Sequence, residues 1–185
     1  GVYETVSGEQ NFLSCFLFNS TLVMMGFACL SFILVPRLFK GNKWSYICAT
    51  IGSYIAILSG LSFLGVGLTP ADLYFHEHVF FVIVGFRSMV PAMVFLTLAF
   101  FFSPVSNKYT VASVLFLLSI TIYAFFETSD PPDVSPRENL ELFRETLSYN
   151  RMVISVIAQK AITLISFVSF FVFTYGFYQL SLIKK

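Results

Sequence analysis

Five stretches of this chain, at about 12–35, 45–68, 79–103, 109–126 and 152–182, are long and apolar enough to cross a lipid bilayer. A bilayer's hydrocarbon core is about 30 Å thick, so a spanning helix needs about 20 predominantly apolar residues. In hydrocarbon every backbone N–H and C=O must be satisfied within the protein, which makes runs of this length helices. The sequence therefore predicts an all-α, polytopic transmembrane helical bundle of five spans, forming a single transmembrane domain over residues 1–185. The composition fits: 57% of residues are hydrophobic and only 11% charged, against about 25% charged in an average soluble domain. The 24 phenylalanines suit lipid-facing and interhelical surface better than a small aqueous core.

The charges are segregated along the chain. Arg37, Lys40 and Lys43 lie between the first two spans, Lys108 between the third and fourth, and Lys184 and Lys185 close the chain. All ten acids fall on the other side: Glu4, Glu9, Asp72, Glu77, Glu127, Asp130, Asp133, Glu138, Glu141 and Glu145. Orientation follows the Lys/Arg count, which predicts that the Arg37–Lys43 side is cytoplasmic. The N-terminus is then outside and the C-terminus inside. The chain begins with Gly rather than Met, so a cleaved signal peptide or an absent first helix is expected upstream. A sixth helix there would place both termini inside. Cys15, Cys29 and Cys48 show no C-x-x-C spacing and read as buried free thiols.

The one sizeable loop, 127–151, is external in this topology. Its "TSDPPDVSP" segment cannot continue a helix, because proline lacks the N–H and biases the preceding residue toward extended backbone. Ser135, Pro136 and Glu138 then read as N-cap, N1 and N3 of a new helix. Leu140, Phe143 and Leu147 would share one face, with the acids largely on another, giving a short external amphipathic helix. On the second span Gly52, Ala56 and Gly60 are four apart, the small-xxx-small spacing that lets a neighbouring helix approach closely.

Polar groups inside the spans carry the functional question. Arg87 enters the third span from outside, nine residues past His78 and roughly 13 Å deeper. Lys160 is nine residues past Arg151 on the fifth span, with Gln159 beside it, and Asn19 lies about seven residues into the first. Similar depth on three helices predicts one cluster. A charge at membrane depth costs several kcal/mol, of order 3 on insertion scales, unless it is paired, hydrated or able to snorkel. Two arrangements meet that cost. In one, Arg87 pairs with Asp72, Glu77 or Glu127, Lys160 snorkels, and Asn19 and Gln159 bond between helices. In the other, Arg87, Lys160, Gln159 and Asn19 form a pocket for a phosphate or carboxylate headgroup, with His76 and His78 at its rim. Pro91, four residues past Arg87, frees the Arg87 carbonyl and predicts a kink there.

The "HEH" triplet at His76, Glu77 and His78 limits the chemistry. Two residues apart on a helix point about 200° away from each other, so the histidines would share a metal with Asp72 only from an extended loop. Both sit at one membrane edge with no axial partner on another helix, which disfavours haem. Glu77 could act as a base, but no nucleophile motif accompanies it: G-x-S-x-G, H-E-x-x-H and the Walker loop are all missing. No catalytic residue, cofactor or resident metal is assigned. No basic cluster with interleaved aromatics points to nucleic acid.

"FLFNSTLVMMG" (16–26 at its core), a basic loop, and "GLSFLGVGLTPADLYFHEHVFFVIVGF" (60–86) together resemble the DUF998 family of polytopic membrane proteins. They are more distantly similar to the Frag1/DRAM/Sfk1 group. The shared pattern, a helix starting near a small polar residue followed by a G…G…P…H junction, maps to Gly65, Gly67, Pro70 and His78 or His76. The resemblance implies a helical bundle, usually of six spans, without an established enzyme mechanism and in some relatives linked to lipid or trafficking processes. The function expected is that of a non-catalytic integral membrane protein, an accessory subunit packing against membrane lipids and other integral membrane proteins. The alternative is a lipid- or anion-handling protein, whether binder, transporter or lipid-modifying enzyme.

Overall fold

A computed structural model of the chain describes residues 2–4, 8–131, 133–146 and 148–183, with backbone only at Arg144 and Tyr149. Leu147, Lys184 and Lys185, which entered the reading of the amphipathic face and of the basic end, lie outside the described residues. The fold is all-helical, with 82% helix and no strand among the described residues. Five helices are long and apolar enough to cross a membrane, which is the build of a multi-pass membrane protein.

Helix α1 spans Phe12–Cys29 and continues as a 3₁₀ stretch, Leu30–Phe39, that contains Pro36. Asn42 starts α2, Lys43–Leu68, by accepting the N–H groups of Trp44 and Ser45 on its side chain at 2.9 and 3.2 Å. Helix α3 is Phe75–Phe101 and runs through Pro91 without interruption. Helix α4 is Asn107–Thr128, α5 is Leu140–Thr146 and α6 is Tyr149–Ile183. The third span thus starts four residues earlier than hydropathy alone indicates. Polarity stops a hydropathy run but not a helix, and Glu77 in the first turn suits the positive end of the helix dipole.

The helices pack in the order α1, α2, α3, α4, α6, and the end of α6 returns to the 3₁₀ stretch. Small residues let α2 sit between two neighbours. A methyl group at Gly52 would lie 3.1 Å from the Ala92 carbonyl on α3, and one at Gly60 only 2.2 Å from Cys29 Cβ on α1. The expected stripe is real but divided between two partners. Ser45 and Ser59 on α2 donate to the Ala99 and Gly85 carbonyls of α3 at 2.7 and 2.8 Å, fixing the register of that pair.

The core gathers at the basic end. Phe100 on α3 stacks on Phe177 (5.4 Å) and Phe173 (6.0 Å) of α6 and meets Phe39 edge-on at 5.5 Å. Tyr109 and Phe116 of α4 complete the cluster. At the acidic end the reciprocal cap expected for Ser135 and Glu138 is formed. Ser135 Oγ accepts the Glu138 N–H at 3.1 Å, and Glu138 Oε2 accepts the Ser135 N–H at 2.9 Å. The cap closes a turn rather than a helix. Helix α5 begins only at Leu140, with Asn139 Oδ1 accepting from Leu142 N–H at 3.1 Å. Phe143 is buried edge-on against Phe75 at the start of α3.

Candidate functional site

The polar residues converge on the end of α4. A helix leaves its last carbonyls without partners and carries partial negative charge there. Arg87, reaching across from α3, supplies what is missing: its Nε donates to Thr128 Oγ1 at 2.9 Å and its Nη2 to the Thr128 carbonyl at 2.8 Å. Thr128 is 2% exposed and its hydroxyl also donates to the Ala124 carbonyl at 2.7 Å. No carboxylate lies within ion-pair distance of Arg87 among the described residues. The partner is a helix end, where sequence reasoning named only Asp72, Glu77 or Glu127. The "TSDPP" segment marks a helix stop on the side from which Arg87 enters, but nothing in the sequence pairs that stop with Arg87.

The other polar groups of the spans do not join it. Lys160 and Gln159 are exposed on α6, and the Gln159 backbone carbonyl accepts from the Thr163 hydroxyl at 2.7 Å. Asn19 is buried on α1, where its Nδ2 donates to Cys15 Sγ at 3.3 Å. Similar depth on three helices is not a shared site when the side chains leave in different directions. The thiols are free, with Cys15 and Cys48 buried.

Both histidines lie in the first turn of α3, so they diverge. His78 Nδ1 is 2.5 Å from the Thr69 carbonyl, which can only accept, so the proton sits on Nδ1. His76 Nε2 is 3.6 Å from Glu138 Oε1, with both side chains more than half exposed. Asp72 is committed elsewhere. Its side chain is 5% exposed, and its Oδ2 accepts from the Tyr3 and Glu4 N–H groups at 3.1 and 3.2 Å, with Arg137 Nη2 at 3.6 Å. A metal shared by His76, His78 and Asp72 required an extended loop, and the helix removes that condition. Among the described residues no three His, Cys, Asp or Glu side chains group as metal ligands.

Sequence reasoning missed a small cleft above the end of α4. It has a volume of about 170 Å³ between α3, α4 and the start of α6, and His78, Glu127, Asp130, Arg151 and Ser155 line it. Its charged side chains are engaged with other groups of its lining. Ser155 Oγ donates to Glu127 Oε2 at 2.7 Å, and Arg151 donates to Asp130 through Nη1 to Oδ2 (2.8 Å) and Nη2 to the carbonyl (2.9 Å). Pockets that hold drug-sized ligands run from about 300 to 1,000 Å³, so this cleft is smaller than those. Compared with known proteins, the chain matches no family model, no curated protein and no solved structure.

Proposed function

We propose that this chain is a non-catalytic accessory subunit of a membrane assembly, with its acidic end outside and its basic end in the cytoplasm. The observation that carries the reading is that the polar groups at the acidic end are consumed in holding helices together. Arg87 caps α4, Glu127 and Asp130 tie α4 and its loop to α6, and Asp72 holds the N-terminal segment.

Helix lengths support a shallow position for the two intramembrane cations. Helix α4 has 22 residues and is about 33 Å long, close to the hydrocarbon thickness. Its end then marks the outer boundary, and Ser155 of α6 is level with it through Glu127. Lys160 lies five residues deeper, about 7.5 Å, within reach of a snorkelling lysine. The apolar faces of α1 and α6 support packing against lipid and other membrane proteins, since only 17% and 11% of their most apolar windows are buried within the chain. Membership of the DUF998-like group belongs to the same proposal. The anion-binding alternative has less support, because the Arg87 donors are directed at Thr128.

Native mass spectrometry of the gently solubilised protein, with lipid identification, tests this on wild type and Arg87→Leu. Co-purifying membrane subunits with no bound anion are expected. A stoichiometric anionic lipid that disappears in the variant would replace this reading with the anion-handling one. Labelling of Lys40→Cys and Asp133→Cys by an impermeant maleimide in intact cells tests orientation: only the second is expected to react.

A further inference from the structure

The basic end carries charge that the chain itself does not answer. Lys40 and Lys43 flank the turn that joins the 3₁₀ stretch to α2, and Lys108 lies in the first turn of α4. All three are exposed, as is Arg37 in the last turn of the 3₁₀ stretch. The bond from Ser45 to the Ala99 carbonyl sets the start of α2 level with the end of α3. The short link 102–106 then brings Lys108 to the same end. No acid occurs between Gln10 and Ala71, between His78 and Phe126, or after Glu145. The three lysines accordingly form no ion pair among the described residues. Their combined field acts on whatever lies outside the chain.

Neighbouring aromatics fix the level at which that field acts. Trp44, the only tryptophan of the chain, follows Lys43 and is 62% exposed. Tyr175 and Tyr178 of α6 are more than half exposed. The Lys108 ammonium lies 5.1 Å from the centre of the Tyr109 ring and 5.9 Å from that of Tyr175. Exposed tryptophan and tyrosine on a membrane protein collect at the headgroup level, where the ring is apolar and its N–H or O–H is wet. The lysines therefore stand among headgroups rather than out in water. An anionic phospholipid brings an uncancelled phosphate to them, whereas phosphatidylcholine carries its own cation. Each lysine near an anionic leaflet is worth about fivefold in binding, and the gain falls off within a Debye length of about 8 Å. An acidic protein segment would match the charges but would have to displace lipid from Trp44 and the tyrosines as well.

We infer that the basic end gathers anionic phospholipids, with their phosphates on Lys40, Lys43 and Lys108 beside Trp44 and Tyr175. The contact is electrostatic and exchanges with the bilayer, so detergent dilutes it away. It is separate from any single anion held by Arg87 near the opposite end. The inference rests on the membrane-embedded part of the proposed function, and on neither the accessory role nor the orientation.

Trp44 serves as its own reporter. The full chain is reconstituted in phosphatidylcholine vesicles that contain a minor share of either phosphatidylglycerol or phosphatidylcholine brominated close to the headgroup. Quenching of the Trp44 fluorescence reads which lipid lies beside it. In low salt the brominated phosphatidylglycerol is expected to be about fivefold enriched at Trp44 over its phosphatidylcholine counterpart. In about 1 M salt, where the Debye length is about 3 Å, the two are expected to quench alike. Lys40→Gln combined with Lys43→Gln removes two exposed charges and should bring the lipids to near parity with the fold intact. Lys160→Gln, toward the acidic end, should leave the enrichment unchanged. Equal quenching by the two lipids in wild type overturns the proposal and leaves the basic end to an acidic segment of another protein. Full enrichment in the double variant or in high salt overturns it as well. Quenching by neither lipid would put Trp44 outside the bilayer, and the membrane-embedded reading would then fail along with the inference built on it.

Discussion

At the basic end, Phe39, Phe100, Phe173 and Phe177 fill the space between the 3₁₀ stretch, α3 and α6 with ring against ring. At the acidic end, the corresponding space is bridged by Arg87 on Thr128, Ser155 on Glu127 and Arg151 on Asp130. The two ends differ in what their contacts demand. Aromatic packing depends on close fit and ignores pH and salt. Hydrogen bonds and ion pairs tolerate looser geometry but respond to protonation and to neighbouring charge. With one end closed by packing, changes in protonation or charge at the polar end leave the aromatic end of the bundle intact.

The largest expected effect breaks the basic end. Phe100 is 2% exposed and touches four other rings. Phe100→Ala is expected to cost about 3 kcal/mol, the low end of the range for a buried phenylalanine, because lipid rather than water solvates the separated helices. Unfolding in mixed micelles measures it. A loss under 1 kcal/mol would mean the ring cluster does not close the bundle.

Next in size is the acidic end's own fastening. Arg87→Leu is expected to cost about 1–2 kcal/mol, since two charge-assisted bonds are lost while an exposed cation is also removed. The loss should be local, seen as faster amide exchange in the last turn of α4 with the basic end unchanged. Arg87→Lys should restore little, because one ammonium cannot span the hydroxyl and carbonyl as the guanidinium fork does. Uniformly faster exchange across α3 and α4 would refute a local cap.

Those two residues also show how far the sequence could be read. The five spans were legible because 20 apolar residues in a row have one structural outcome in a bilayer. The cap at Ser135 and Glu138 was legible because its chemistry is local. The partner of Arg87 was not, because it is a backbone carbonyl 41 positions away whose availability depends on where α4 stops. Lys160, Gln159 and Asn19 share a depth with Arg87, but depth along a helix says nothing of direction around it. Helix α5 started late because an N-cap signal specifies a turn, and continuation depends on what packs beneath, here Phe143 on Phe75.

A smaller effect tests whether the ends differ in packing alone. Ser45 and Ser59 make the same bond from α2 to an α3 carbonyl, Ser45 near the aromatic cluster and Ser59 in the acidic half. Each substitution to alanine is expected to cost about 0.6 kcal/mol, the average for interhelical hydrogen bonds in a bilayer. Ser59→Ala costing over 1 kcal/mol more than Ser45→Ala would mean that the acidic half relies on such bonds for its stability.

The smallest effect is a pH response confined to the acidic end. The Ser135 N–H, then its hydroxyl, and beyond them His76 hold the Glu138 carboxyl below its ordinary value of 4.5. A carboxyl whose pKa is lowered in the folded state stabilises that state above its unfolded value, and the contribution is lost as pH falls through the lowered one. The turn at 135–138 should therefore stay closed at neutral pH and open only below 4.5. The Glu138 side chain is more than half exposed, so the global midpoint of unfolding should barely move. A side-chain carboxyl titration by NMR reads this directly: Ser135→Ala is expected to raise the Glu138 midpoint toward 4.5, whereas Phe100→Ala leaves it where it was. A Glu138 midpoint that follows Phe100→Ala would mean the two ends are coupled, and that the polar end borrows its order from the aromatic one.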